Sequence, residues 1–221
     1  MTTPRDFRGK VVAVTGAAGG LGRALVHAFA QVGAQVAALD RDAAALAVLA
    51  QETAGTPLMT AVCDVTRLDD CQAAIAHVCE RLGGVDLLIN NAGIAHRSAF
   101  ADTQVDVLRR VMDVNFFGAA HCTHAALPSL RQRRGMVVAI SSVAGFSPLI
   151  GRTGYAASKH ALHGFFDSLR TEVQDDGVDV LIVCPSFIDT GIDRAALGAD
   201  GLPAAQARKT TGATTQPAEV A

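Results

Sequence analysis

The sequence contains no tryptophan and a single tyrosine, Tyr155. Half of its residues are apolar, yet aromatics make up only 5%, so that apolar half is mostly Ala, Val and Leu. Cysteine is sparse and odd in number: Cys63, Cys71, Cys79, Cys122 and Cys184, with no C-x-x-C pair. This argues against a secreted disulfide framework and against a Cys-rich zinc site. It predicts reduced thiols in or near the core. No sign of charge dominates, because 19 basic residues face 21 acidic ones, for a net charge of −2. No basic field exists to attract nucleic acid, and no nucleic-acid partner is expected. Long hydrophobic runs are also missing. The longest uncharged stretch, 135–151, contains Ser141, Ser142, Gly145, Ser147 and Pro148, poor material for a membrane helix. Near the N-terminus the apolar run is broken by glycines, which argues against a signal peptide. A cytoplasmic protein with no membrane partner is the expectation. The 21 glycines follow no three-residue period, which excludes a collagen-like chain, and the apolar content excludes a disordered one.

What is present is a regular alternation. Apolar runs at Val11–Thr15, Gln35–Asp40, Met59–Asp64, Val85–Asn90, Met136–Ser141 and Val178–Cys184 read as buried strands. Stretches with helical spacing lie between them at Leu21–Val32, Ala43–Thr53, Leu68–Leu82, Gln104–Leu130 and Thr153–Asp175. The strand runs are nearly all apolar, as strands covered on both faces require. Repeated strand–helix–strand units predict right-handed crossovers and a doubly wound parallel sheet, a Rossmann-type α/β fold with three layers, α/β/α. The 221 residues suit one domain with one sizeable core. Beyond residue 185 the periodicity fades, so residues 186–216 read as a mobile substrate-binding loop. Pro217–Ala221 reads as the beginning of a helix.

Between the first strand and the first helix lies Thr15-Gly16-Ala17-Ala18-Gly19-Gly20-Leu21-Gly22. A pyrophosphate must approach backbone N–H groups at a helix N-terminus, where side chains would block it. This position and composition predict a dinucleotide-binding turn formed by Gly16, Gly19, Gly20, Leu21 and Gly22. Asp40 ends the second strand, about 20 residues on, where a carboxylate can take the ribose hydroxyls and repel a 2′-phosphate. That favours NAD. Arg41, and Arg23 near the turn, leave NADP open, and Asp40 has a helix-capping alternative.

Tyr155 and Lys159 are four residues apart in a helical segment and share a face. A free tyrosine has a pKa near ~10. A nearby ammonium favours the phenolate, so the pair makes a general acid/base. With these residues the chain resembles the short-chain dehydrogenase/reductase family over about residues 9 to 190. The resemblance is carried by Thr15-Gly-x-x-x-Gly-x-Gly22, Asn90-Asn91-Ala92-Gly93, Asn115, Ser142 thirteen residues before Tyr155, and Tyr155-x-x-x-Lys159. It implies a catalytic set. Tyr155 exchanges the proton, Ser142 hydrogen-bonds the substrate oxygen, Lys159 also grips the nicotinamide ribose, and Asn115 holds a water in the proton relay. It further implies that Asp64 and Val65 meet the adenine and that Asn91, Ala92 and Gly93 run beside the cofactor. Pro185, Ile188 and Thr190 would pack on the nicotinamide. Ser186 departs from the family, where glycine is usual.

The expected activity is hydride transfer between NAD(P)(H) and a secondary alcohol or ketone. The pocket expected for it comprises Ile94, His96, Phe146, Leu149, Phe187 and the loop after Thr190. These are mostly apolar, so a hydrophobic carbonyl compound is expected. A non-catalytic dinucleotide sensor is the alternative. His121-x-x-His124 and His160-x-x-His163 each share a helical face, but no carboxylate or Cys completes a ligand set, so no metal is expected. They read as helix-surface or subunit-interface residues. Cys184 reads as packing, with no base paired to it. The resembled family continues past this length with a further helix and strand. The sheet is therefore expected without its usual last strand, by truncation or by a missing edge, and a homodimer is expected over a homotetramer.

Overall fold

In a computed structural model, residues 5–204 and 214–221 are described. Six strands form one sheet: β1 (Val11–Thr15), β2 (Gln35–Asp40), β3 (Leu58–Val62), β4 (Leu87–Asn90), β5 (Met136–Ile140) and β6 (Asp179–Val183). Every pairing is parallel and the order is β3-β2-β1-β4-β5-β6. This is the doubly wound Rossmann arrangement, with the strand order reversing between β1 and β4. Among the described residues β6 is an outer edge of the sheet.

Successive strand residues point to opposite faces, and both faces are buried. Val11 and Ala13 of β1, with Ala37, Leu39, Leu88 and Val137, enter one core. That core is closed by α3 (Leu68–Leu82), α5 (Gly118–Arg133) and α6 (Thr153–Val173). Val12, Val14, Val36, Ala38 and Ile89 enter the opposite core under α1 (Gly20–Gln31) and α2 (Ala43–Glu52). The uninterrupted apolar runs are thus two alternating sets laid over each other. A short helix, Pro217–Val220, returns to this second face through Val220.

The segment expected as one helix over 104–130 is divided. An α-helix at Val105–Met112 (called α4) leads into a π-helical turn at Asp113–Phe117, and then α5 follows. The cause is tertiary. Asn115 accepts from the Ile94 N–H at 2.8 Å and donates to the Ile94 carbonyl at 3.0 Å, which pins residue 115 inward. A π turn absorbs the extra residue this needs without breaking the apolar pattern, so spacing alone does not reveal it.

Within the segment 186–216, residues 205–213 lie outside the described residues. The part before them is tied to the body. Arg97 N–H donates to Leu197 carbonyl at 2.7 Å, Leu197 N–H donates to Ala95 carbonyl at 2.9 Å, and Leu197 is buried.

Phe166 is the largest fully buried side chain, in the core closed by α3, α5 and α6. Phe166→Ala should lower the unfolding free energy by about 3–5 kcal/mol. The same change at Phe100, 65% exposed, should stay within roughly 0.5 kcal/mol. Urea unfolding of the two variants checks this, and equal losses would refute the burial assignment.

Candidate active site

Open α/β sheets bind ligands outside the carboxyl ends of the strands, where the order reverses. Here a cleft of about 460 Å³ lies at that position. Thr15 at the end of β1 and Asn91 just past β4 bind each other across the reversal. The Thr15 hydroxyl accepts from the N–H groups of Asn91 and Ala92, each at 3.0 Å. The Asn91 amide donates to the carbonyls of Thr15 at 2.9 Å and Gly16 at 3.1 Å. The glycine turn is thereby held against the Asn91-Ala92-Gly93 segment. Gly16 has φ +61°, and a Cβ there would come within 2.8 Å of the Ala92 Cα. Two constraints, conformational and steric, demand glycine at this point. A Cβ on Gly20 would lie 2.6 Å from the Thr190 carbonyl oxygen, so the 186–190 segment closes directly on the first turn of α1. No side chain caps that helix and no acidic residue lies in its first turn. Its N–H groups suit a phosphate.

At the far end of the same wall Asp40 supports the turn. One carboxylate oxygen accepts from Ala18 N–H at 3.0 Å and the other from Asp42 N–H at 3.1 Å. The capping role open to Asp40 falls instead to Asp42, which accepts from Ala45 N–H at 3.0 Å at the start of α2. Arg23 is paired with Glu52 at 2.5 Å, while Arg41 lines the cleft. Asp64 lines it too. Burial alone would raise its carboxyl, but two hydrogen bonds from Thr66 and the charges of Arg41 and Arg67 hold it below the usual range.

On the opposite side α6 presents Tyr155 and Lys159 into the cleft, one turn apart. The Lys159 ammonium is 5.7 Å from the Tyr155 ring centre and donates to the Ile140 carbonyl at 2.8 Å. Burial pushes its pKa down from 10.5 to about 8. Lys159 is buried and lines the cleft. The Arg152 guanidinium lies 5.9 Å from the same ring centre. Ser142 lines the cleft and also caps the turn Val143–Gly145, accepting from Ala144 N–H at 3.2 Å. Asn115 is buried behind Ile94, and its amide also donates to the Ser158 hydroxyl at 2.9 Å.

The cleft gathers nearly every residue singled out in the sequence: Gly16, Gly19, Gly20, Leu21, Gly22, Asp40, Arg41, Asp64, Val65, Asn91, Ala92, Gly93, Ser142, Tyr155, Lys159, Pro185, Phe187, Ile188 and Thr190, with Ile94 and Leu149. Asn115 is not on its wall. Two pocket residues need correction. His96 is fully buried beneath the loop, with Nε2 3.0 Å from the Ser98 hydroxyl. Burial, and then the Arg152 charge, hold its pKa down. Phe146 points outward, 63% exposed, with its ring against His163. Cys184 does have a base beside it: His163 Nε2 is 3.6 Å from its sulfur and 3.0 Å from the Ser141 hydroxyl.

Of the histidine pairs, His121 turns to the Val65 carbonyl and His160 to that of Ala156. Ile192 and Asp193 of the loop after Thr190 are on the cleft wall, and so are Cys63 and Arg152, which sequence reading missed. Asp193 receives Arg97 at 3.2 Å and Arg152 at 2.5 Å. Only the fold brings these three positions together, and no spacing signal marks them.

The sequence pattern of the short chain dehydrogenase family matches residues 10–199. Dehydrogenase/reductase SDR family member 7B of Bos taurus is 40% identical, over 97% of this chain and 69% of its own length. An 11-beta-hydroxysteroid dehydrogenase-like 2 of Arabidopsis thaliana is 36% identical, over 84% of this chain and 61% of its own. Among solved structures, a short chain dehydrogenase/reductase from Burkholderia phymatum in complex with NAD superposes with a TM-score of 0.83 at 31% identity. The match covers 86% of this chain and 70% of that one. Levodione reductase follows at 0.81 and 29%, covering 84% and 74%. The matched span contains the glycine turn, Ser142, Tyr155 and Lys159, and on that ground the chain belongs to the short-chain dehydrogenase/reductase family of oxidoreductases.

Proposed function

We infer that this protein is an NAD(H)-dependent oxidoreductase interconverting a secondary alcohol and a ketone. The observation that carries the reading is the lone tyrosine beside a buried ammonium, in a cleft whose other end is a phosphate-binding turn. When bound, the nicotinamide supplies or accepts the hydride. The chain's own residues do the rest. The Tyr155 hydroxyl exchanges the proton of the substrate oxygen, and Lys159 stabilises the phenolate left behind. Ser142 donates to that oxygen as charge develops on it. Asn115, held behind Ile94, supports the proton relay from outside the cleft wall. Ile94, Leu149, Phe187 and Ile192 favour a hydrophobic carbonyl compound at the substrate end. Asp40, tied to the glycine turn, favours NAD over NADP because its carboxylate repels a 2′-phosphate.

Tyr155→Phe should cut turnover at least ~100-fold, the low end for loss of a positioned acid/base, while NADH binding survives. Steady-state assays over a panel of ketones and alcohols, paired with calorimetric NADH titration, check this. Undiminished turnover would sink the assignment, and binding without turnover in the wild type would favour the sensor.

The ammonium's pKa sets a second expectation. Below about pH 8 Lys159 is charged folded and unfolded, and the whole burial penalty applies. Between about 8 and 10.5 the folded chain has released the proton that the unfolded chain still holds. Stability therefore rises with pH through that window, by about 3 kcal/mol in all. Lys159→Met carries no such term. Its stability relative to wild type, from urea unfolding, should fall steadily across the window; a constant difference would contradict the burial of a charged Lys159.

Asp40→Asn should shift the ratio of NADPH to NADH affinity roughly tenfold toward NADPH, about 1.4 kcal/mol. Dissociation constants for both measured on wild type and variant decide it, and an unchanged ratio argues against Asp40 as the selector.

A further inference from the structure

Three cysteines from separate segments, Cys63 and Cys71 eight residues apart and Cys122 further on, meet behind the Asp64 end of the cleft. Cys63 follows β3, Cys71 lies on α3 and Cys122 on α5. All three are buried, and their sulfurs lie within 4.8 Å of one another, with Cys71 and Cys122 at 3.5 Å. Among the described residues this is the one cluster of three metal-ligating side chains. Cys63, itself buried, also contributes to the cleft wall beside Asp64 and Val65.

The geometry suits a three-coordinate centre. A lone pair makes a trivalent thiophilic centre pyramidal, so sulfur bonds of about 2.3 Å need sulfurs roughly 3.5 Å apart. The Cys71–Cys122 edge is at 3.5 Å, and the Cys63 sulfur lies within 4.8 Å of both. No His or carboxylate joins the set, so zinc held by these three thiolates would have to complete its tetrahedron with water in the buried core. Hard cations prefer oxygen. Charge then selects among the soft centres. Three thiolates around a monovalent ion leave two negative charges in the core, and around a divalent ion they leave one. Either is costly where the surroundings are Val65, Ala74 and Ala119. A trivalent centre leaves none.

We propose that Cys63, Cys71 and Cys122 form a binding site for a trivalent thiophilic centre, taken up as arsenous acid. Three S–H bonds and three As–OH bonds break, three As–S bonds form, and three waters leave: As(OH)₃ + 3 RSH → As(SR)₃ + 3 H₂O. Nothing is oxidised or reduced, and the product carries no net charge. The partner needs no preformed anion, because each thiol proton departs with a hydroxide.

The test uses the full chain and sodium arsenite under reducing conditions. Intact mass under native conditions should show one arsenic gained and three hydrogens lost per chain. X-ray absorption at the arsenic edge should show three sulfur neighbours and no oxygen. A Cys79→Ser/Cys184→Ser double variant should bind as wild type does. Cys63→Ser and Cys122→Ser should each weaken binding at least tenfold, with thermal melting confirming that the variant is folded. If those variants fail to fold, the arsenic-edge spectrum of the wild type decides alone. No adduct, an adduct with two sulfurs and an oxygen, an adduct lost in the Cys79/Cys184 variant, or tighter uptake of zinc would each overturn the site.

Discussion

The bonds between Thr15 and Asn91 hold together the one place where this sheet changes direction. Helices leave β1 and β4 toward opposite faces, so the carboxyl ends of these neighbouring strands must diverge into a crevice. Nothing in a parallel ladder prevents that crevice from gaping. Here the buried Thr15 hydroxyl accepts two N–H groups from Asn91 and Ala92, and the Asn91 amide returns two bonds to the carbonyls of Thr15 and Gly16. The crevice is thereby fixed at the width of one backbone approaching another. That width is why Gly16 has no room for a Cβ against Ala92. Both walls of the cleft descend from the same knot: the glycine turn on one side, and on the other the segment leading to Ile94, which in turn holds Asn115.

The second dependency is the buried charge of Lys159. An ammonium taken out of water costs several kcal/mol unless it is paired. Its carbonyl partner, Ile140, lies at the end of β5, and the next residue, Ser141, is hydrogen-bonded to His163 of the same helix. Helix α6 is thus held to the strand end at two levels, one a charge-assisted bond and one a neutral bond. A charge that is incompletely satisfied by the protein is held ready for a ligand with hydroxyl groups. Burial holds its pKa down at about 8.

Much of this was legible in the linear chain, because the local chemistry of each element agrees with its place in the fold. Strand runs were visible from apolar content, since both faces are covered. The turn at Gly16–Gly22 and the pair Tyr155/Lys159 were visible because their function requires neighbours in sequence. What was hidden depends on contacts between distant segments. The π turn at Asp113–Phe117 exists through Asn115 reaching Ile94. His96 lies in a loop next to Ile94, which reads as pocket, yet it is completely buried, with the neighbouring Arg97 N–H bonded to Leu197. Phe146 is apolar beside Ser142, which reads as pocket, yet the turn after Ser142 swings it to solvent. The thiol cluster draws one residue from each of three elements, so no spacing encodes it.

Asp40 shows how selectivity and architecture share one side chain. A carboxylate has about four acceptor sites. Two are occupied by the N–H groups of Ala18 and Asp42, which tie the glycine turn to the start of α2. The remaining capacity faces the cleft, where ribose hydroxyls can donate and a phosphate cannot. A switch to NADP would thus need more than a new cation. Arg23 is drawn away by Glu52, leaving Arg41 to act across a carboxylate that the turn requires. Removing that carboxylate frees two backbone donors at the mouth of the phosphate site. The proposed preference for NAD thus rests on the same carboxylate that supports the turn, and a change of cofactor would have to rebuild that support along with the charge.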